Sequence, residues 1–197
     1  MDAALAAAKR RLRRELDARR RQVSPEAARA AAEAVADALI GCDSVRRAPR
    51  VALYAALRDE LPTRPAWERL AAAGRPPLLP RVDSSGRLSF HRVEAWEELR
   101  AGRYGVMEPP AGSPTERLGP ADWVFVPGVA FDLEGHRLGR GGGHYDAAFP
   151  AGSAGPRLVG LAYELQIVDS VPHGARDRAV DAIRTELCWH RVAGRIE

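Results

Sequence analysis

Between residues 135 and 146 the chain reads Gly135-His136-Arg137-Leu138-Gly139-Arg140-Gly141-Gly142-Gly143-His144-Tyr145-Asp146. Gly139, Gly141, Gly142 and Gly143 are four glycines in five residues. Glycine lets a backbone approach a ligand closely, and successive inward-pointing amides form an anion nest. Arg137 and Arg140 add forked donors suited to phosphate oxygens. Asp146, near the start of a predicted helix, is a hard oxygen ligand able to hold a magnesium ion that bridges such phosphates. Residue types and order together predict a phosphate-binding loop. It is not a Walker A loop, which ends in Gly-Lys-Ser or Gly-Lys-Thr. Nor is it a dinucleotide fingerprint, which needs glycine where His144 stands.

A second source of positive charge lies at the start of the chain. Residues 1–22 carry eight basic groups against three acids, a net of +5. The other 22 basic and 23 acidic residues leave −1, so the overall +4 comes from one segment. A field of that kind suits nucleic acid, a membrane surface or a phosphorylated small molecule. Lys9 is the only lysine, and all 29 other basic residues are arginine. A compact ammonium in so arginine-rich a chain marks a position where a point charge matters. Lys9 and Arg13 are four apart, so on a helix they share a face.

The elements that must position these groups follow from periodicity. Residues 3–22 lack Gly and Pro, and Leu5, Ala8, Leu12 and Leu16 form one helical stripe. Ser24-Pro25-Glu26 starts a second helix that runs to about Ile40 and stops at Gly41. Residues 50–55, 78–79, 123–126, 158–162 and 182–185 read as short apolar strands, and 65–73 as a helix. Leu88 to Val93 alternates after the turn Asp83-Ser84-Ser85-Gly86 and reads as half of a hairpin. A Pro- and Gly-rich loop spans 102–120. Helices alternating with short strands predict a single-domain layered α/β fold over residues 1–197. Its central sheet is largely parallel and flanked by helices.

The 197 residues, 46% of them hydrophobic, suffice for one sizeable core. No uncharged apolar run is long enough to span a bilayer, and the Arg-rich start lacks the apolar centre of a signal peptide. The expected location is cytoplasmic. Cys42 and Cys188 make neither a disulfide framework nor a zinc set. No base stands near either in sequence, so neither is assigned as a nucleophile. His91, His136, His173 and His190 show no ligand spacing and read as ordinary surface or hairpin residues.

Taken together, the ordered motifs resemble the 5-formyltetrahydrofolate cyclo-ligase family, also called 5,10-methenyltetrahydrofolate synthetase. The likeness runs from about Lys9 to Glu186. Its pieces are the Lys9-x-x-x-Arg13 helix, the pair Asp59-Glu60 after the first strand, and Tyr104-Gly105-Val106-Met107-Glu108-Pro109. The strongest signature is Val126 to Asp132 followed by Arg137 to Asp146. Gln166, Pro172, Asp177, Asp181 and Thr185-Glu186 complete it. One departure falls inside the signature: His144 replaces the first of two paired tyrosines.

The resemblance implies conversion of 5-formyltetrahydrofolate to 5,10-methenyltetrahydrofolate with ATP and Mg2+, through a phosphorylated formyl group. Lys9 and Arg13 would contact the ATP phosphates. Arg137, Leu138, Gly139, Arg140, Gly141, Gly142, Gly143, His144 and Tyr145 would wrap the nucleotide. Arg140 and Tyr145 are the catalytic candidates, Arg140 steadying charge on the transferring phosphoryl group. Asp146 and Asp177 would hold magnesium. Ala55 and Glu60 would line the folate site, with Tyr54, Tyr104 and Tyr145 offering flat faces to the pterin or benzoyl ring. The partners would be these small molecules alone, with no nucleic acid or membrane, and the chain a monomer. Two alternatives stay open at this point. One is a folate-binding relative with weak catalysis, which His144 keeps in play. The other is a nucleic-acid-binding module built on the basic helix.

Overall fold

The computed structural model describes residues 3–102 and 105–192. Tyr104, one of the expected ring contacts, lies outside the described residues. Helix α1 spans Ala3–Arg20 and α2 spans Pro25–Gly41. Pro25 opens α2 without cost, since a first-turn N–H has no helical partner, and the Ser24 hydroxyl accepts the Ala27 N–H at 3.2 Å. Short α3 (Asp43–Arg47) leads into β1 (Val51–Ala52), and α4 (Arg64–Ala72) follows.

Strands β2 (Leu79–Val82) and β3 (Leu88–His91) form the expected hairpin, with Val82 opposite Leu88. The Pro- and Gly-rich segment contributes more structure than its composition suggested. Arg100–Ala101 (β4) pairs with Met107–Glu108 (β5), and Thr115–Glu116 (β6) joins the hairpin as a third strand. Such two-residue strands leave no periodic trace in a sequence.

The central sheet is completed by β7 (Trp123–Pro127), β10 (Arg157–Leu161), β11 (Ala182–Arg184) and β12 (Trp189–Arg191). Between β7 and β10 lie the small hairpin β8 (Ala130–Phe131) and β9 (Arg137–Leu138), then the five-residue helix α5 (His144–Ala148). The sheet order is β1-β7-β10-β11-β12. The first four strands run parallel and β12 antiparallel.

Burial on both faces explains why these strands read as continuous apolar runs. Val51, Leu53, Trp123, Phe125, Val159 and Leu161 face a core completed by Val35 and Leu39 of α2 and Trp67 and Leu70 of α4. The alternate residues Ala52, Val124, Val126, Leu158 and Ile183 face the other way, toward Phe90 and Phe131, with Tyr145 and Phe149 packed alongside. Gly160 sits in the middle of β10. A Cβ there would lie 2.4 Å from the Phe131 ring, so only glycine lets that ring pack against the sheet. A third cluster joins Leu16 of α1 to Val129, Ala130, Leu138 and Val171. This contact seats the basic helix beside the hairpin that leads into the glycine loop. No described helix is long and apolar enough to cross a membrane.

Candidate active site

The glycine loop leaves β9 at Leu138, which is fully buried, and enters α5 at His144. Gly141 (φ 112°) and Gly143 (φ 66°) are in the left-handed region that disfavours side chains. Gly143 caps α5 in that conformation. The loop is fastened at two points. The Arg13 Nε donates to the Gly139 carbonyl at 2.8 Å, and His144 Nδ1 lies 2.9 Å from the Gly86 carbonyl in the β2–β3 turn. A histidine therefore serves here as a tether to the antiparallel sheet.

The cations and carboxylates around the loop fall into two ion-paired groups. In the first, Lys9 Nζ meets Asp177 Oδ2 at 2.5 Å, and Arg137 Nη2 donates to Asp146 Oδ1 at 2.9 Å. Asp177 Oδ2 also accepts the Gly174 N–H, and Asp146 Oδ1 the Arg178 N–H. The Arg137 guanidinium carbon lies 5.6 Å from the centre of the Tyr145 ring. In the second group, Arg140 spans two acids: its Nη2 donates to Asp59 Oδ1 at 2.6 Å and its Nε to Glu60 Oε1 at 3.1 Å. Glu60 is buried, and its other oxygen accepts the Leu57 N–H at 2.9 Å.

The structure thus brings Lys9, Arg13, Arg137, Arg140, Asp146 and Asp177 around one loop, with Glu60 next to it through Arg140. Tyr54 and Ala55 sit deeper. Tyr54 is packed in the core, and its hydroxyl donates to the Leu61 carbonyl at 3.1 Å. Burial raises the pKa of that hydroxyl well above its ordinary value, so it stays protonated. Tyr145 is half-buried, and desolvation raises its hydroxyl in the same direction.

Three buried polar residues, Arg20, Asp132 and Gln166, were assigned no role by residue type. The Arg20 side chain is 0% exposed, and its Nη2 donates to Asp17 at 2.6 Å and to Asp59 at 2.9 Å. Spacing carries the signal. Arg20 stands four after Leu16 and eight after Leu12, on the apolar stripe of α1, where a buried arginine needs an acid partner. Asp132 is 0% exposed and accepts from the His136 N–H, His136 Nδ1 and the Val171 N–H. Gln166 is also buried. Its Nε2 donates to the Gly128 and Val129 carbonyls at 2.7 and 3.0 Å.

The 5-formyltetrahydrofolate cyclo-ligase family matches residues 5–186. The chain belongs to that family. It is accordingly a ligase. The 5-formyltetrahydrofolate cyclo-ligase of Escherichia coli (strain K12) is 32% identical over 174 residues, covering 85% of this chain and 94% of that protein. The Mus musculus enzyme of the same name is 28% identical over 190 residues, covering 91% and 94%. The NMR structure of Aquifex aeolicus 5,10-methenyltetrahydrofolate synthetase superposes with a TM-score of 0.80. It is 33% identical and covers 96% of this chain and 95% of that one.

Ion pairing around the loop has a consequence in acid. Burial alone would raise the Asp59 carboxyl, but Arg20 and Arg140 outweigh it and hold the pKa below the ordinary value. For Asp177, burial is likewise outweighed, here by the hydrogen bonds from Lys9 and the Gly174 amide. A carboxyl depressed in the folded state contributes stability above its unfolded pKa, about 3.9. That contribution is lost as the pH falls through the folded value. Urea unfolding midpoints measured at about pH 5 and again below pH 3 are therefore expected to drop for the natural protein. The drop should be smaller in Asp59→Asn.

Proposed function

We propose that the chain converts 5-formyltetrahydrofolate and ATP to 5,10-methenyltetrahydrofolate, ADP and phosphate, acting as a single-domain cytoplasmic monomer on small molecules. The carrying observation is the glycine loop ringed by Lys9, Arg13, Arg137 and Arg140. That sets four cationic side chains around a backbone that carries no side chains of its own at Gly139, Gly141, Gly142 and Gly143.

The chemistry explains why phosphate must be bound at all. The formyl oxygen on N5 belongs to an amide and does not leave as hydroxide at neutral pH. Attack of that oxygen on the terminal phosphorus of ATP, with ADP departing, turns it into a phosphate ester. N10 then attacks the activated carbon and gives up its proton, which the departing phosphate takes; the C–O bond breaks, phosphate leaves with the pair of electrons, and the cationic methenyl bridge forms. No nucleophilic side chain is needed, only positioning and charge stabilisation. Lys9 and Arg13 present α1 to the phosphates, and the 139–143 backbone cradles them. Arg140 can exchange part of its grip on Asp59 and Glu60 for the transferring group. Glu60, aligned by the Leu57 amide, accepts from pterin N–H groups.

Asp146 and Asp177 fit a magnesium site. Each has one oxygen engaged by Arg137 or Lys9, and the other has no protein donor among the described residues. A magnesium ion bound there would neutralise phosphate charge.

Purified protein mixed with 5-formyltetrahydrofolate, ATP and magnesium tests the proposal through the near-ultraviolet absorbance of the methenyl product. A rise that needs both ATP and magnesium is expected. Folate binding without a rise would favour the weakly catalytic relative, and absence of both would remove the proposal. In the same assay Glu60→Gln is expected to raise the folate KM about tenfold, the scale of one hydrogen bond to a charged group. The ATP KM should stay within about twofold. Equal effects on both substrates would rule out the pterin contact.

A further inference from the structure

Cys188 and His190, read from sequence as ordinary, stand together in the folded chain. They lie at and beyond the turn joining β11 to β12, and their partner comes from elsewhere: Glu164, in the short 3-10 turn Glu164–Gln166 after β10. His190 Nε2 is 3.0 Å from Glu164 Oε2 and 3.5 Å from Cys188 Sγ. All three donor atoms lie within 4.8 Å of one another.

One ring nitrogen faces both the carboxylate and the sulfur, and it carries at most one proton. It can serve the acid or the thiol well, but not both. One cation at the centre satisfies all three lone pairs at once. Tetrahedral zinc, with Zn–S about 2.3 Å and Zn–N or Zn–O about 2.0–2.2 Å, places sulfur and nitrogen about 3.5 Å apart and nitrogen and oxygen about 3.3 Å apart. The observed 3.5 and 3.0 Å are close to those edges.

Surrounding hydrogen bonds hold Glu164 and Cys188 from behind. Thr185 Oγ1 donates to Glu164 Oε2 at 2.5 Å and accepts the Cys188 N–H at 3.3 Å, so one hydroxyl orients both. The Glu164 N–H donates to Glu186 Oε2 at 2.9 Å. Outer contacts of this kind hold metal ligands in place. Cys188 is exposed, which leaves an entry path and room for a water as fourth ligand.

We infer that Glu164, Cys188 and His190 form a binding site for a borderline-soft divalent ion of the zinc class, which staples the β11–β12 turn to the 3-10 turn. The sulfur and nitrogen donors separate this site from the all-oxygen preference of magnesium.

The test uses the full chain, stripped of metal and kept free of magnesium and nucleotide, titrated with cobalt(II). The expected result is one equivalent bound, with a thiolate-to-cobalt charge-transfer band and the visible bands of a tetrahedral ion, both displaced by zinc. Cys188→Ser should abolish the charge-transfer band, and His190→Gln should weaken binding at least about tenfold. Cys42→Ser should change neither. Circular dichroism melting of the metal-free variants checks that they fold. Zinc-edge X-ray absorption on the natural protein, expected to show one sulfur among nitrogen and oxygen ligands, covers the case in which a variant does not. Absence of the charge-transfer band, its survival in Cys188→Ser, or a sulfur-free zinc shell would each overturn the site.

Discussion

Arg140→Ala is expected to lower turnover by about 10²–10³-fold, the scale seen when one donor aimed at developing charge is removed. The protein should still fold. Arg140 is partly exposed, and Asp59 keeps its bond to the buried Arg20. The local cost falls on Glu60, which loses its Oε1 partner while Oε2 keeps the Leu57 amide. Arg140→Lys should recover only part of the rate, because one ammonium cannot reproduce a fork that reaches Asp59 and Glu60 together. The methenyl absorbance assay reads the rate, and thermal melting reads the fold. Turnover within about twofold of the natural protein would take Arg140 out of phosphoryl transfer.

The second large effect concerns stability. Asp132→Ala is expected to cost about 3 kcal/mol, because its carboxylate accepts two backbone N–H groups and an imidazole nitrogen in a fully buried position. For a chain of this length that corresponds to a fall in melting temperature of about 6–12 °C. Asp132→Asn should lose less, since one oxygen survives to accept the His136 N–H. The same residue shapes the β8–β9 hairpin from which Arg137 projects. Reduced phosphate-site affinity is therefore expected alongside the lower midpoint. An unchanged midpoint in Asp132→Ala would mean that water replaces the carboxylate without penalty.

How far the sequence disclosed this molecule depended on whether a feature was local. The α1 stripe, the Ser24–Pro25 start of α2 and the apolar runs of β7, β10 and β11 were legible because burial writes a period into consecutive residues. The glycine loop was legible because positive φ and open backbone demand one residue type. Strands β4, β5 and β6 were not, since two residues carry no period. The partners of the cations were hidden for another reason. Arg140 meets Asp59 and Glu60 across about eighty positions, and Lys9 meets Asp177 across 168. Only the closed fold makes such neighbours. The reading that no base stands near Cys188 overlooked His190, two residues further on; Glu164, which makes them a set, is brought in only by the fold.

Helix α1 touches both ion-paired groups. Lys9 and Arg13 reach Asp177 and the glycine loop, while Arg20 reaches Asp59, which Arg140 shares. From Lys9 to Arg20 the axis advances about 16 Å at 1.5 Å per residue. The helix thus works as a ruler, setting how far the acid pair beside Glu60 stands from the carboxylates beside Lys9. A ruler tolerates new lettering but not a new length. One residue inserted between Arg13 and Arg20 would turn Arg20 through about 100° and advance it 1.5 Å, taking it off the stripe that faces Asp59. Side chains on the outer face of α1 are free to vary; the count of residues between these three cations is not.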